Sequence, residues 1–129
     1  MSKDYCPKKG KYVLSPSAYH VVLWQVRDYY RLKETADAIL EESPPPSDGM
    51  PHGTPSPDGV LNKAARRLRL LEVVNMIDEE MQLIPKEYRR GVWNNVLYRS
   101  PFPRDADRTT YGRYKSRLLY RLAERQGLI

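Results

Sequence analysis

The stretch VLNKAARRLRLLEVVNMIDEEMQLI, residues 60–84, decides the fold class. Val60, Ala64, Leu68, Leu71, Val74, Ile77, Met81 and Ile84 recur at spacings of three and four, which puts them on one face of an α-helix. Most residues between them are charged or polar. An apolar stripe of this kind is normally core, buried against a neighbouring element. The spacing predicts a helix from about Gly59 to Leu83 that needs a partner.

That partner lies upstream. Ser15-Pro16 supplies a hydroxyl N-cap and a proline at the first helical position, where its missing N–H costs nothing. Tyr19, Val22, Leu23, Val26, Tyr29, Tyr30, Lys33, Ala36 and Leu40 follow at helical spacing, separated by Gln25, Arg27, Asp28, Arg31, Glu34, Asp37 and Glu41. This predicts one amphipathic helix of about 25 residues, roughly 38 Å long. It ends at Ser43-Pro44-Pro45-Pro46. Ser43 to Asp58 holds six prolines and two glycines in sixteen residues, a linker with turns at Asp48-Gly49 and Asp58-Gly59. Two stripes joined by one linker predict a long antiparallel helical hairpin over residues 15–84, after a flexible basic tail over 1–14. The first helix ends acidic at Glu34, Asp37, Glu41 and Glu42, and the second begins basic at Lys63, Arg66, Arg67 and Arg69. The second ends at Asp78, Glu79 and Glu80, against its own dipole, which an antiparallel partner offsets by bringing the basic N-terminal segment or Arg27 nearby.

Downstream of Ile84-Pro85, Tyr88, Val92, Trp93, Val96 and Leu97 predict a short helix to about Tyr98. Ser100-Pro101-Phe102-Pro103 breaks it. A last helix begins near Asp107 or Thr109 and runs to about Gln126, with Gly127 as the residue that ends it. Its apolar stripe is Tyr111, Tyr114, Leu118 and Leu122, with Leu119 beside it. No segment alternates with the period of a strand, so the chain reads as all-α, with residues 85–129 a compact module of their own.

Charge divides the chain differently. Of 129 residues, 22 are Lys or Arg and 16 Asp or Glu, a net +6. From Lys86 onward eleven basic residues face four acidic ones, a net +7, whereas residues 1–85 hold eleven against twelve. The whole excess therefore sits in the last third, the electrostatic footprint of a surface for a polyanion. No run approaches the roughly 18 apolar residues of a membrane span. The N-terminus lacks the apolar stretch of a signal peptide. A single cysteine, Cys6, excludes an intramolecular disulfide and any multi-cysteine metal site.

A short helix, a break and a basic helix make a helix-turn-helix candidate, with the first helix bracing a second whose N-terminal half enters a major groove. Arg104, Arg108, Thr109, Thr110 and Arg113 surround that helix start, where hydroxyls and backbone N–H groups suit phosphates. Arg113 and Lys115 are placed to reach base edges, and Arg90, Arg117 and Arg121 to touch backbone. The alternative for Arg113, Arg117 and Arg121 is a solvated helix face. The chain's ten tyrosines against one phenylalanine suit helix borders with one wet side, or stacking on unpaired bases.

Pro85-Lys86-Glu87-Tyr88-Arg89 resembles the segment that opens the bracing helix in the fourth region of sigma-70-type factors. Arg108-Thr109-Thr110-Tyr111-Gly112-Arg113-Tyr114-Lys115-Ser116-Arg117-Leu118-Leu119 resembles their reading helix. The layout as a whole is similar to bacteriophage regulators of the RinA/ArpU type, including the closing Leu122-Ala123 and Gly127-Leu128. The resemblance is specific over residues 84–129 and architectural before them. It implies a sigma-region-4-like helix-turn-helix that reads double-stranded DNA at a phage promoter in the bacterial host cytoplasm, with recruitment of host RNA polymerase. The hairpin is then a surface for homodimerisation or for contact with the polymerase. One departure stands out: sigma-like domains carry a further short helix where this chain has Arg99 to Asp107, room for about one turn. Either Ala106 stands in for that helix in a compact turn, or the DNA contact is altered.

No catalytic or cofactor site emerges. His20 and His52 are far apart in sequence, and Cys6 has no identifiable base or resolving partner. The acidic runs at Glu41-Glu42 and Asp78-Glu79-Glu80 do not share a helix face as metal ligands must. There is no phosphate-binding glycine fingerprint. The competing reading is a small-terminase-like packaging or assembly subunit that oligomerises through the hairpin.

Overall fold

Ser15 opens the first helix as its chemistry dictates: its Oγ accepts from the Ala18 N–H at 3.2 Å, with Pro16 in the first turn. The computed structural model describes residues 6–8, 10–41 and 57–129, with the backbone alone for Glu41 and residues 57–60. It contains α1 (Pro16–Arg27), α2 (Tyr29–Glu41), α3 (Pro57–Gln82), α4 (Lys86–Tyr98) and α5 (Arg108–Arg125). No strand occurs among the described residues, and the fold is all-α.

The single helix expected over 16–40 is two helices. Asp28 breaks it with φ −89° and ψ 0°, and its N–H is shared between the carbonyls of Trp24 (3.0 Å) and Gln25 (3.1 Å). One tightened turn leaves the three-four spacing of the side chains almost in phase, so periodicity runs across the break unmarked. At the other end, Pro57 and Asp58, expected in the linker, are the first turn of α3, a place that proline tolerates. The rest of the linker, including the Asp48-Gly49 turn, lies outside the described residues.

The chain separates into two compact units. The first comprises the described residues of Met1–Asp28 and Met76–Ile129, the second Tyr29–Asn75. In the first, α1, α4 and α5 pack on one another pairwise. Ala18, Tyr19, Val22, Leu23 and Val26 of α1 meet a core with Val92 and Val96 of α4 and Tyr111, Leu118, Leu119, Leu122 and Ala123 of α5. Ile77 and Ile84 join it from the end of α3. Each large aliphatic so buried contributes about 1.5–3 kcal/mol. Leu14 is buried too, Cys6 Sγ donates to its carbonyl at 3.8 Å, and Tyr12 meets Tyr120 edge-on with ring centroids 5.6 Å apart. Part of the stretch expected as a flexible tail is thus packed.

Helix ends lock this unit. Arg89 donates through Nε to the Ile84 carbonyl (2.7 Å) and through Nη2 to that of Gln82 (2.8 Å), filling acceptors that the end of α3 leaves open. Arg27 donates to the Val96 carbonyl at 2.8 Å while lying over the Trp24 ring. Gln25 and Gln126 exchange amide hydrogen bonds of 2.7 Å. Gly127, at φ +71°, ends α5 as expected, letting the Leu128 N–H reach back to Ala123 O at 2.9 Å.

In the second unit, Tyr29, Leu32, Ala36 and Val74 are buried. The stripe on α3 does not serve as core along its length, since Ala64 is exposed and Leu68 is 60% exposed.

Candidate nucleic-acid interface

Gly91 sets the geometry between α4 and α5. A Cβ there would stand 2.6 Å from Tyr111 Cε1 and 2.8 Å from Pro103 Cδ, so the bare backbone is what admits both. Tyr111, fully buried, is stacked on Phe102 (centroids 5.3 Å, planes 12° apart) and meets Tyr88 edge-on at 5.3 Å. Tyr88 in turn stacks on Tyr114. Phe102 and Pro103 thereby occupy the space beside Gly91 and Tyr111, and residues 99–107 connect the helices without a helix of their own.

Polar groups hold the same connection. Arg99 closes α4 in the left-handed region (φ 56°), with its N–H bonded to Asn95 O and that of Ser100 to Asn94 O. The Asn95 side chain bridges both sides, donating to Ser100 O at 2.8 Å and accepting from Lys115 Nζ at 2.8 Å. Asp107 caps α5 by accepting from the Thr109 N–H at 3.1 Å. Asp105 accepts from the Tyr111 hydroxyl at 2.5 Å. That bond, then burial, then the Asp105 charge push the Tyr111 phenol up to about 12.

These contacts engage the two carboxylates of the connection and leave its cations around an open groove of about 1340 Å³. Lys11, Arg99, Arg104, Arg108, Arg113 and Lys115 line it, with Asn95, Thr109, Ser116 and the rings of Tyr12 and Phe102. Among the described residues, no acidic one does. Among the described residues Arg104, Arg108 and Arg113 make no side-chain hydrogen bond or ion pair. The first turn of α5 adds the positive end of its dipole, its Thr109, Thr110 and Tyr111 N–H groups being already bonded to Asp107. The arrangement suits an extended polyanion, with several cations spread along one wall.

Of the nine residues expected from sequence, Arg104, Arg108, Thr109, Arg113 and Lys115 come together in this groove. Arg90 is exposed on α4, and Thr110 and Arg117 are half-buried on α5, none of them lining it. Arg121 does not line the groove either. It donates to Glu80 at 2.6 Å, and the Glu80 side chain is 4% exposed. Arg125 completes the cluster, reaching Glu80 at 3.4 Å and Glu79 at 2.7 Å. The hydrogen bond and charge of Glu80 raise the already high pKa of Arg121, as those of Glu79 chiefly do for Arg125. A buried carboxylate requires a paired cation, and Arg121, itself 41% exposed, supplies it to Glu80. These pairs offset Glu79 and Glu80 at the acidic end of α3.

Lys11, Arg99 and Asn95 are lining residues that sequence reasoning missed. Lys11 stands in a basic stretch read as a tail, and Arg99 in a break read for its prolines. His20 is exposed on α1, with its ring edge-on to Tyr19; His52 lies outside the described residues. No group of three potential metal-ligating side chains occurs among the described residues, and no helix among them is long and apolar enough to cross a membrane. No known protein family, curated protein or solved structure matches the chain.

Proposed function

We propose that this chain binds double-stranded DNA through the groove at the start of α5 and acts as a sequence-specific transcriptional regulator of the phage type that its C-terminal third resembles. The observation that carries the reading is a groove lined, among the described residues, by six cations and no carboxylate, with Asp105 and Asp107 turned to Tyr111 and to the Thr109 N–H. In this reading the N-terminal half of α5 enters the major groove. Arg113 meets base edges, Arg104, Arg108 and Lys11 meet phosphates, and Thr109 and the helix N-terminus fix the register. The +7 of residues 86–129 overstates the charge available to DNA, because Arg121 and Arg125 are paired with Glu79 and Glu80. Recruitment of host RNA polymerase rests on the resemblance alone.

Selection from a random duplex pool, followed by binding measurements on the selected duplex and a scrambled one, tests this. At about 150 mM salt the selected duplex should bind at least about a thousandfold more tightly. Arg113→Ala should cost about 1–3 kcal/mol and relax the preference, while Arg108→Ala should weaken all duplexes and reduce the salt slope by about one. Equal affinity for selected and scrambled duplexes at that salt would sink the proposal.

A further inference from the structure

Gly112 opens the second turn of α5, one residue before Arg113, and its own chain gives no reason for a glycine there. The other glycines whose surroundings are described each have one. Gly91 admits Tyr111 and Pro103, while Gly10 and Gly127 hold φ of +115° and +71°, which side chains resist. Gly112 lies within regular helix. Among the described residues, no atom beyond its chain neighbours and its own helix backbone lies within 4 Å of the place a Cβ would take. Glycine is also the poorest helix former after proline, so the position weakens α5 where alanine would strengthen it. Gly112 lines the cationic groove, as do Thr109 three residues before it and Ser116 four after, beside Arg108, Arg113 and Lys115.

From this we infer that Gly112 is a specificity-determining residue of the groove: its bare Cα receives a base edge of the bound duplex, closer than a side chain would allow. The inference rests on the proposed binding of double-stranded DNA and names the part of the duplex that comes nearest to α5. Local chemistry selects a base edge over a phosphate. Inside a helix the N–H of residue 112 is bonded to the carbonyl four residues before it, so the position offers C–H surface and no free donor. Phosphate oxygens find their donors on the cations around it, Arg104, Arg108 and Lys11. A base-pair edge carries carbon and methyl surface as well as polar atoms, and it can lie flat on a helix face without a side chain. With that face against the bases, α5 sits deeper in the major groove, which brings Arg113, the next residue, within reach of the neighbouring base.

Gly112→Ala in the full chain tests this, by urea unfolding and by binding to the selected duplex and a scrambled one. The urea midpoint should hold or rise, because the added methyl meets open space within the chain. Affinity for the selected duplex should fall about tenfold or more, the scale of one lost base-pair contact. Binding to the scrambled duplex at low salt should stay within about twofold, with the salt slope unchanged, since no cation is removed. Gly112→Leu should lose still more on the selected duplex alone. An alanine variant that binds the selected duplex as tightly as the parent would overturn the close approach and leave the DNA reading standing. Equal losses on both duplexes would assign the contact to the sugar–phosphate backbone, and a lowered midpoint would assign the glycine to the chain's own packing; either overturns the inference. A parent chain that does not distinguish the two duplexes sinks instead the DNA reading on which this one rests.

Discussion

Gly91 and Tyr111 show how single residues decide the shape of the groove. Alanine in place of a helical glycine gains about 1 kcal/mol of propensity, but here the added methyl would meet two rings already held by neighbours. Overpacking of that kind costs about 1–3 kcal/mol. Gly91→Ala is therefore expected to be destabilising on balance, read as a lower urea midpoint; a midpoint at or above that of the parent would contradict the close approach. Tyr111 carries a pH signature. Its folded-state pKa of about 12 lies above the ordinary 10, so neutral Tyr111 contributes stability that is fully present below pH 10 and lost as pH rises through 12. Absorbance titration at high pH should show one of the ten tyrosines ionising about two pH units late, and Tyr111→Phe should delete that late step. A normal titration of all ten would refute the bond to Asp105.

At the scale of elements, the cluster of Glu79, Glu80, Arg121 and Arg125 ties the last turns of α3 to the last turns of α5. Arg89 covers the final carbonyls of α3 in addition. Removing one partner of a buried ion pair is costly because the other is left without compensation. Glu80→Gln is expected to lower the melting temperature by about 5–10 °C while leaving duplex affinity in the cold unchanged. Arg113→Ala, on an exposed arginine of the groove, should do the opposite. Thermal scans and binding on the same two variants separate the roles, and equal loss of affinity in both would show that Arg121 or Arg125 belongs to the interface after all.

For the molecule as a whole, the +6 net charge sums unlike regions: acidic residues outnumber basic by one before Lys86, and the excess lies beyond it, partly neutralised by the end of α3. Local signals determined the all-α class, the caps at Ser15 and Gly127, the core stripes of α1 and α5, and five of the nine candidate residues that share the groove. Spacing and cap chemistry are properties of short segments and can be read from them. Other features depend on residues distant in sequence. The ion pair of Arg121 needs Glu80, 41 residues away and buried. The compact connection needs Gly91 beneath Pro103 and Tyr111. The break at Asp28 keeps the helical phase and so leaves no trace in periodicity. The stripe on α3 looks the same whether it faces its own chain or another, because composition records that a face is apolar and not what covers it. Tertiary structure decided these points, since burial and pairing depend on which distant groups arrive at one place.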